Sequence, residues 1–147
     1  MQTHLILSYF EGRNLTEYLQ SKSGRLGESE AREIVRKIAE TLKYCHDQGI
    51  SHRDIKPENV LINKEGRIKL IDFAYSTYLH TTKTVESYCG TPNYMSPEIF
   101  MKVAHCPKRS DIWALGVLAY KLVTGEVPFK GSQSMTKPKR MRGSMRR

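Results

Sequence analysis

A segment that is apolar on every face of a helix places the strongest constraint on the fold. A helix over residues 110–124 carries apolar side chains all the way round: Ile112, Trp113, Ala114, Leu115, Val117, Leu118, Ala119, Tyr120, Leu122 and Val123. Such a helix has to be surrounded by protein. Its apolar run is far shorter than the ~20 residues that span a bilayer. We therefore predict a central buried helix with Ser110 as its N-cap and Gly125 as its stop.

A second long helix is predicted from the spacing of apolar residues. Between Ser29 and Gly49 these residues recur at intervals of three and four: Ala31, Ile34, Val35, Ile38, Ala39, Leu42 and Cys45. That pattern places them in one stripe that faces a core. Ser29 is the predicted N-cap and Gly49 the predicted stop. A shorter helix is predicted over residues 15–20.

Only short segments favour β-structure. Residues 4–10 are bulky and aromatic and predict a strand. Residues 60–62 and 68–71 predict a hairpin, joined by a turn at residues 63–66. Residues 74–97 are rich in Ser, Thr, Tyr and Pro and predict a long loop, a length at which loops are usually functional or disordered. The expected fold is mainly α with a small β-hairpin.

The charge of the chain is concentrated at one end. The formal net charge is +9, and residues 130–147 contain seven basic and no acidic residues. We expect one domain over residues 1–130 and a basic, disordered tail over residues 131–147. The tail could instead form a nuclear-import or nucleic-acid patch, but it has no interleaved aromatic residues, so we favour a solvated tail without a nucleic-acid partner. The three cysteines are widely separated and form no C-x-x-C pair, which favours an intracellular location, cytoplasm or nucleus.

The residues that suggest chemistry lie between the predicted helix and the hairpin. Phosphoryl transfer from ATP to a hydroxyl needs an oxygen base, a cation near the phosphoryl group and oxygen ligands for Mg²⁺. Residues 52–59 supply all three, as Asp54, Lys56 and Asn59. Asp72 adds a carboxylate on the far side of the hairpin. Two hard oxygen ligands beside a triphosphate suit Mg²⁺, which uses few protein groups.

Residues 52–59 read H-R-D-I-K-P-E-N, which resembles the catalytic loop of eukaryotic protein kinases. A match of this length arises by chance about once in a billion positions. Residues 72–73, 89–98 and 111–116 resemble the metal-binding motif, the end of the activation segment and the central helix of that family, in the family's order. Residues 4–19 look like its hinge. The resemblance implies a truncated large lobe of the protein-kinase-like fold, and Lys56 with Thr91 points to the serine/threonine branch.

The resemblance also implies roles for individual residues. Asp54 would accept or orient the proton of the substrate hydroxyl, and Lys56 would neutralise charge on the γ-phosphate. Asn59 and Asp72 would bind Mg²⁺. The residues implied to face ATP are Leu7, Ser8, Phe10, Asn14, Glu58 and Leu61, with Asn14 and Glu58 near the ribose or the peptide substrate. The implied cofactors are therefore ATP and Mg²⁺, and the implied partner is a protein substrate.

Regulation is implied by a further match. Arg53 would pair with a phosphate on the activation loop, and Ser87 is the matching phosphosite. Thr81, Thr82 and Thr84 are weaker candidates. His52 is expected to be a packed structural residue. The remaining histidines are expected to be solvated: His4, His46, His80 and His105.

Two departures from the family leave other functions open. No G-x-G-x-x-G run and no V-A-I-K-like strand precede His52, and Ala74 replaces the glycine of D-F-G. We therefore expect the chain alone to be weak or inactive as an enzyme. It could instead be a non-catalytic binding or competitor module, with residues 87–98 as its groove, or a truncated product without stable function. Another kinase, or a partner that carries a small lobe, is a further expected partner.

Overall fold

Two long helices, two short helices and five very short strands form most of the regular structure in the described part of the chain. The computed structural model describes residue 4, residues 6–79 and residues 84–129. The strands are β1 (Arg13–Asn14), β2 (Ile50–Ser51), β3 (Val60–Ile62), β4 (Ile68–Leu70) and β5 (Thr77–Tyr78). The α-helices are α1 (Leu15–Gln20), α2 (Glu28–Asp47), α3 (Pro97–Phe100) and α4 (Pro107–Thr124). The prediction of a mainly helical fold with a small hairpin is confirmed.

Helix α2 presents the predicted apolar stripe to the core. Ile34, Ile38 and Leu42 are buried in the cluster that also contains residues of α4. The helix begins two residues earlier than Ser29 would allow as a cap. Gly27 occupies the N-cap in an extended conformation, so Ser29 lies inside the first turn. The predicted role of Ser29 is therefore wrong.

Helix α4 also begins earlier than predicted. It starts at Pro107 with Cys106 as the N-cap, because proline suits the first turn, where its missing N–H is not needed. Ser110 instead lies within the helix, and its hydroxyl is 3.0 Å from the hydroxyl of Ser96. The predicted stop is confirmed: Gly125 has φ +83, a left-handed conformation that favours glycine.

Helix α4 is not covered on every face by the described residues. Leu118 and Leu122 are fully buried, whereas Ile112, Tyr120 and Val123 are 54%, 47% and 38% exposed. The prediction of a helix surrounded by protein therefore holds for one side only among the residues that the structure describes. The uncovered side carries the apolar residues that the core does not use.

The strands form two small antiparallel sheets. The first has the order β1-β3-β4 and places Leu61 between Asn14 and Lys69. The second pairs β2 with β5. The predicted hairpin is confirmed, with β4 ending at Leu70. Its turn is closed by a 2.8 Å bond from the backbone N–H of Arg67 to the side-chain oxygen of Asn63.

The strand predicted over residues 4–10 is wrong where the structure describes that segment. No strand includes residues 6–10, and Ile6 and Tyr9 are 93% and 88% exposed. The composition favours a strand, but a strand also needs a hydrogen-bonded neighbour, and the described residues provide none. The predicted tail at residues 131–147 lies outside the described residues. Over the described ranges, no helix has the length and hydropathy needed to cross a bilayer.

Candidate active site

One buried carboxylate on α4 holds the loop of residues 52–59 in place. Asp111, only 1% exposed, accepts a 3.0 Å bond from the backbone N–H of His52 and a 2.7 Å bond from that of Arg53. The ring of His46, on α2, lies 2.8 Å from the same carboxylate. His46 is thus part of the core support, and the expectation that it is solvated is wrong. Both long helices therefore fix the position of this loop.

His52 ties the loop to the segment that contains Asp72. Its side chain is fully buried, and Nε2 lies 2.9 Å from the backbone oxygen of Ile71. Its ring packs edge-on against Phe73, with centroids 4.6 Å apart. The predicted structural role of His52 agrees with this packing. Asp72 therefore directly follows Ile71, whose backbone contacts the loop through His52.

The carboxylate of Asp54 is the centre of a hydrogen-bonded cluster. Oδ1 accepts a 2.7 Å bond from the hydroxyl of Thr91. Oδ2 lies 2.7 Å from Nζ of Lys56 and accepts a 3.0 Å bond from the amide of Asn59. Lys56 also donates to the Thr91 hydroxyl at 2.9 Å. The sequence indicated Thr91 only as a marker of the family branch, because its contact with Asp54 spans 37 positions of the chain.

These contacts set the ionisation of Asp54. Burial raises the pKa of this carboxyl, but the hydrogen bonds from Lys56, Thr91 and Asn59 favour the charged form more strongly. The net result is a pKa below the ordinary value for aspartate. Asp54 is therefore ionised at neutral pH, with a lysine and a hydroxyl beside it.

Asn59 and Asp72 carry oxygen donors of the kind that Mg²⁺ prefers. Both contacts from the Asn59 side chain to Asp54 use its amide nitrogen, which leaves the amide oxygen for another partner. The backbone N–H of Ile71 donates to the Asn59 backbone carbonyl at 3.0 Å, and Asp72 is the residue that follows Ile71 in the chain. The described residues contain no group of three or more His, Cys, Asp or Glu that could hold a metal. Asn59 and Asp72 fit a Mg²⁺ that takes its remaining ligands from phosphate and water.

Two residues of the site have a left-handed backbone. Arg53 has φ 68 and Asp72 has φ 61. Such conformations cost on the order of 1 kcal/mol each in a residue with a side chain, and they persist where neighbouring contacts impose them. The contacts of Asp111 and His52 impose them here. Ala74 is not among the residues with positive φ, so this arrangement does not require a glycine there.

Arg53 contacts the long loop of residues 74–97 at two points. Its Nε donates to the backbone oxygen of Tyr75 at 2.5 Å, and its Nη1 donates to the hydroxyl of Ser87. Ser87 is exposed. Two residues earlier, Val85 forms a backbone bridge to His105, with bonds of 2.9 and 3.1 Å. His105 is only 4% exposed, so the expectation that it is solvated is wrong.

The residues expected to face ATP are less closely gathered. Leu61 lies on β3, half-buried, directly opposite Asn14. The side-chain oxygen of Asn14 accepts a 2.9 Å bond from the N–H of Glu17 and thereby caps α1. Glu58 is exposed and lines a cavity beside Thr91, away from the hinge.

The hinge segment has few contacts of its own. The hydroxyl of Ser8 accepts a 3.0 Å bond from Nζ of Lys69, and that nitrogen lies 5.9 Å from the centre of the Phe10 ring. Leu7 is 75% exposed. The structure thus brings Asp54, Lys56 and Asn59 into direct contact, whereas the hinge residues line an open edge. Thr84 is exposed, and Thr81 and Thr82 lie outside the described residues.

Comparison with known proteins places this site in a family. The sequence pattern described as the protein kinase domain matches residues 1–146. Sperm motility kinase 2B of Mus musculus is 37% identical over 128 residues, which cover 87% of this chain and 26% of the relative. NUAK family SNF1-like kinase 2 of Rattus norvegicus is 41% identical over 132 residues, with coverage of 90% and 21%. The chain therefore spans about a quarter of the length of these curated relatives.

Proposed function

The chain belongs to the protein kinase family, and from that premise we propose that it supplies the acceptor side of a site that transfers the γ-phosphoryl group of ATP to serine or threonine hydroxyls of a protein. The observation that carries the proposal is the contact of Asp54 with both Lys56 and Thr91. An ionised carboxylate beside a single ammonium group is what a hydroxyl acceptor and a phosphoryl group require. Thr91 and Lys56 support the serine/threonine assignment.

Each residue of the cluster has a part in the proposed reaction. Asp54 accepts a hydrogen bond from the acceptor hydroxyl and orients it. As the acceptor oxygen bonds to the γ-phosphorus, the bond from that phosphorus to the bridging oxygen breaks, ADP leaves, and the proton of the hydroxyl passes to Asp54. A carboxyl with a lowered pKa is a weak base, so orientation is its main contribution. Lys56 stabilises negative charge on the phosphoryl oxygens. Asn59 and Asp72 would hold a Mg²⁺, which would neutralise charge on the phosphates when ATP is bound.

The nucleotide is proposed to lie against the edge formed by the hinge and β3. Leu61 would pack under the base, and the backbone of Ser8 and Phe10 would pair with it. Leu7 would close the back of this edge, and Asn14 would lie near the ribose. No G-x-G-x-x-G run occurs in the 147 residues, and catalysis of this kind is mostly positioning and charge stabilisation. We therefore expect transfer by the chain alone to be slower by several orders of magnitude.

Regulation is proposed to act through Arg53. Its contact with the Ser87 hydroxyl places a guanidinium beside the expected phosphosite. A phosphate on Ser87 would form charge-assisted bonds with that guanidinium, which are roughly twice as strong as neutral ones. Substitution of Ser87 by alanine would remove this link and leave the Asp54 cluster unchanged.

The proposal is tested by transfer of labelled phosphate to a serine peptide. The full chain is fused behind a protein-kinase small lobe chosen because it carries a G-x-G-x-x-G loop, so that a phosphate-binding loop is present. We expect Asp54→Asn to lower transfer by about 10²- to 10⁴-fold. The matched control is Asp47→Asn, which changes an exposed carboxylate that pairs with Lys43 at the surface.

Two outcomes separate the alternatives. If the fusion protein transfers phosphate no faster with Asp54 than with Asn at this position, the enzymatic proposal is wrong. In that case, retention of protein partners through residues 87–98 would favour a binding module. Loss of transfer in the Asp47→Asn control would show that the assay reports stability instead of chemistry.

A further inference from the structure

A groove of about 850 Å³ lies between the hinge segment and the turn of the β3–β4 hairpin. Residues 9–13 and residues 62–67 line two parts of it, and Tyr18 and Lys22 complete it from α1 and the loop that follows. We call it the hairpin groove. No member of the Asp54 cluster lines it. Its size and open form suit an extended peptide segment, because sites for small molecules bury most of the ligand surface.

The hairpin groove is distinct from the face of the sheet proposed for the nucleotide. Arg13 of β1 lies opposite Ile62 of β3. Asn14 lies opposite Leu61. Successive side chains of a strand point to opposite faces, so Arg13 projects away from the face that carries Asn14 and Leu61. Neither of these two residues lines the groove, and a ligand bound there leaves them free.

The hairpin groove has an excess of positive charge. Residues 1–129 are nearly balanced, with 17 basic and 15 acidic residues. Four of the basic residues and two of the acidic ones line this groove, which matches the whole excess of that part of the chain. All six are exposed: Arg13, Lys22, Lys64 and Arg67, with Glu11 and Glu65. Single exposed charges contribute little, but four cations around one groove attract the same anionic ligand.

Two of these cations are available to a ligand. Arg13 and Lys64 form no ion pair within the ranges that the structure describes. Arg67 lies 3.7 Å from Glu65 at the surface, where such a pair is weak. Lys22 has its acidic partner on α2, at 3.4 Å. An anionic ligand therefore reaches two cations without breaking an existing ion pair.

Contacts within the chain hold the walls of the hairpin groove in place. The guanidinium carbon of Arg13 lies 5.5 Å from the centre of the Tyr18 ring, and the hydroxyl of that ring donates to Glu30 of α2. On the other wall, Nζ of Lys37 donates to the backbone oxygen of Gly66 at 2.7 Å. A surface that is ordered before binding loses less conformational entropy when a ligand binds.

We propose that the hairpin groove docks an extended acidic segment of a partner protein, held by Arg13 and Lys64. Carboxylates of the segment accept charge-assisted bonds from these two side chains, and Lys22 and Arg67 strengthen the attraction. Tyr9, which is 88% exposed, offers apolar surface to the residues between the carboxylates. The two lining glutamates disfavour a nucleic acid, whose negative charge is continuous, whereas a peptide can place neutral residues opposite them. This docking goes beyond the proposed phosphoryl transfer.

The test measures equilibrium binding of labelled peptides to the full chain without nucleotide. The peptides are ten residues long and alternate alanine with Glu, with Gln or with Lys. Fluorescence anisotropy should show about tenfold tighter binding of the Glu peptide than of the Gln peptide, and the weakest binding for the Lys peptide. The preference should fall as salt is raised.

Charge reversal at two positions shows where the Glu peptide binds. Arg13→Glu combined with Lys64→Glu should weaken its binding about tenfold and abolish the preference over Gln. The matched control is Lys137→Glu combined with Lys139→Glu, which changes the net charge equally within the basic C-terminal sequence and should change the affinity less than twofold. Arg13→Gln combined with Lys64→Gln is a milder pair, which decides the question if circular dichroism shows that the reversed pair is misfolded.

Three results would overturn the inference. The first is equal affinity for the Glu and Gln peptides. The second is a loss of affinity in the C-terminal control as large as that in the groove variant. The third is binding of a polyuridine RNA that is lost in the groove variant while the Glu peptide does not bind, which would assign the groove to nucleic acid. Since no ATP is present, failure of phosphate transfer leaves the docking inference intact, and failure of docking leaves the proposed function standing.

Discussion

The catalytic loop and the hinge segment differ sharply in how the chain supports them. In the loop, the buried polar groups of His52, Asp54 and Asn59 have identified partners, and Asp111 joins the loop to both long helices. In the hinge, residues 6–9 are exposed, with a lysine contact to Ser8 as the link to β4. Both segments resemble the same family, yet within the described chain the loop is held by several buried bonds and the hinge by few, exposed contacts.

The difference shows that the two halves of the proposed site depend on different neighbours. The acceptor side depends on α2 and α4, which pack on each other and bury their shared apolar residues. The hinge has no strand partner among the described residues. Acceptor binding and nucleotide binding should therefore respond separately to substitution.

The largest effect is expected at Asp111. Asp111→Ala would leave the N–H groups of His52 and Arg53 and the ring of His46 without their acceptor. Each buried donor without a partner costs about 1–3 kcal/mol, so stability should fall by about 3 kcal/mol or more. Urea denaturation measures this loss. The control is Asp47→Ala, which removes an exposed pair and should cost about 0.5 kcal/mol or less.

Equal losses at Asp111 and Asp47 would contradict the claim that the loop is held from α4. A loss of stability in Asp111→Ala with unchanged helix content would support the claim that Asp111 acts on the loop. The loop would then loosen while the packing of the two long helices remained.

A smaller effect is expected at Thr91. Thr91→Val keeps the shape but removes the hydroxyl that donates to Asp54 and accepts from Lys56. Stability should fall by about 1–2 kcal/mol, and the pKa of Asp54 should rise. Denaturation and NMR titration of the carboxyl give the two values. Thr84→Val, at an exposed position, should change neither, and an unshifted Asp54 in Thr91→Val would refute the bridging role.

Lowering the pH should remove only the part of the Asp54 contribution to stability that depends on its negative charge. Burial raises the pKa of Asp54, but the bonds from Lys56 and Thr91 lower it more. The folded pKa therefore lies below the ordinary 3.8. Its contribution is therefore fully present above about pH 4 and is lost as the pH falls through the folded pKa. Urea midpoints should drop over this acid range. Thr91→Val should begin to lose its smaller contribution at a higher pH, and identical curves would exclude the linkage.

The smallest effect is expected in the hinge. Leu7→Ser changes a side chain that is 75% exposed, so stability should change by about 0.5 kcal/mol or less. Calorimetry compares it with Leu118→Ala, where a fully buried residue of α4 should cost about 2–5 kcal/mol. A large loss at Leu7 would show that the hinge is held by contacts other than those described, and the contrast between the two regions would disappear.

Local sequence patterns predicted which helices and hairpin form better than they predicted the helix caps and the pairing of strands. The α2 stripe, the hairpin and the stop at Gly125 follow from spacing and turn residues, which act within a few positions. The caps at Ser29 and Ser110 were wrong because Gly27 and Cys106, each at the entry to a helix, take the N-cap position. The strand at residues 4–10 was wrong because pairing depends on a distant neighbour.

The order of residue types determined the family and the identity of the acidic, amide and basic groups at 54, 56, 59 and 72, because each motif is contiguous along the chain. Only the tertiary structure decided that Thr91 bonds to Asp54, that Asp111 supports the loop from beneath, and that Arg13 and Lys64 line one groove. Those contacts join residues far apart in sequence. They form only when the chain packs around α2 and α4, whose apolar faces share one core.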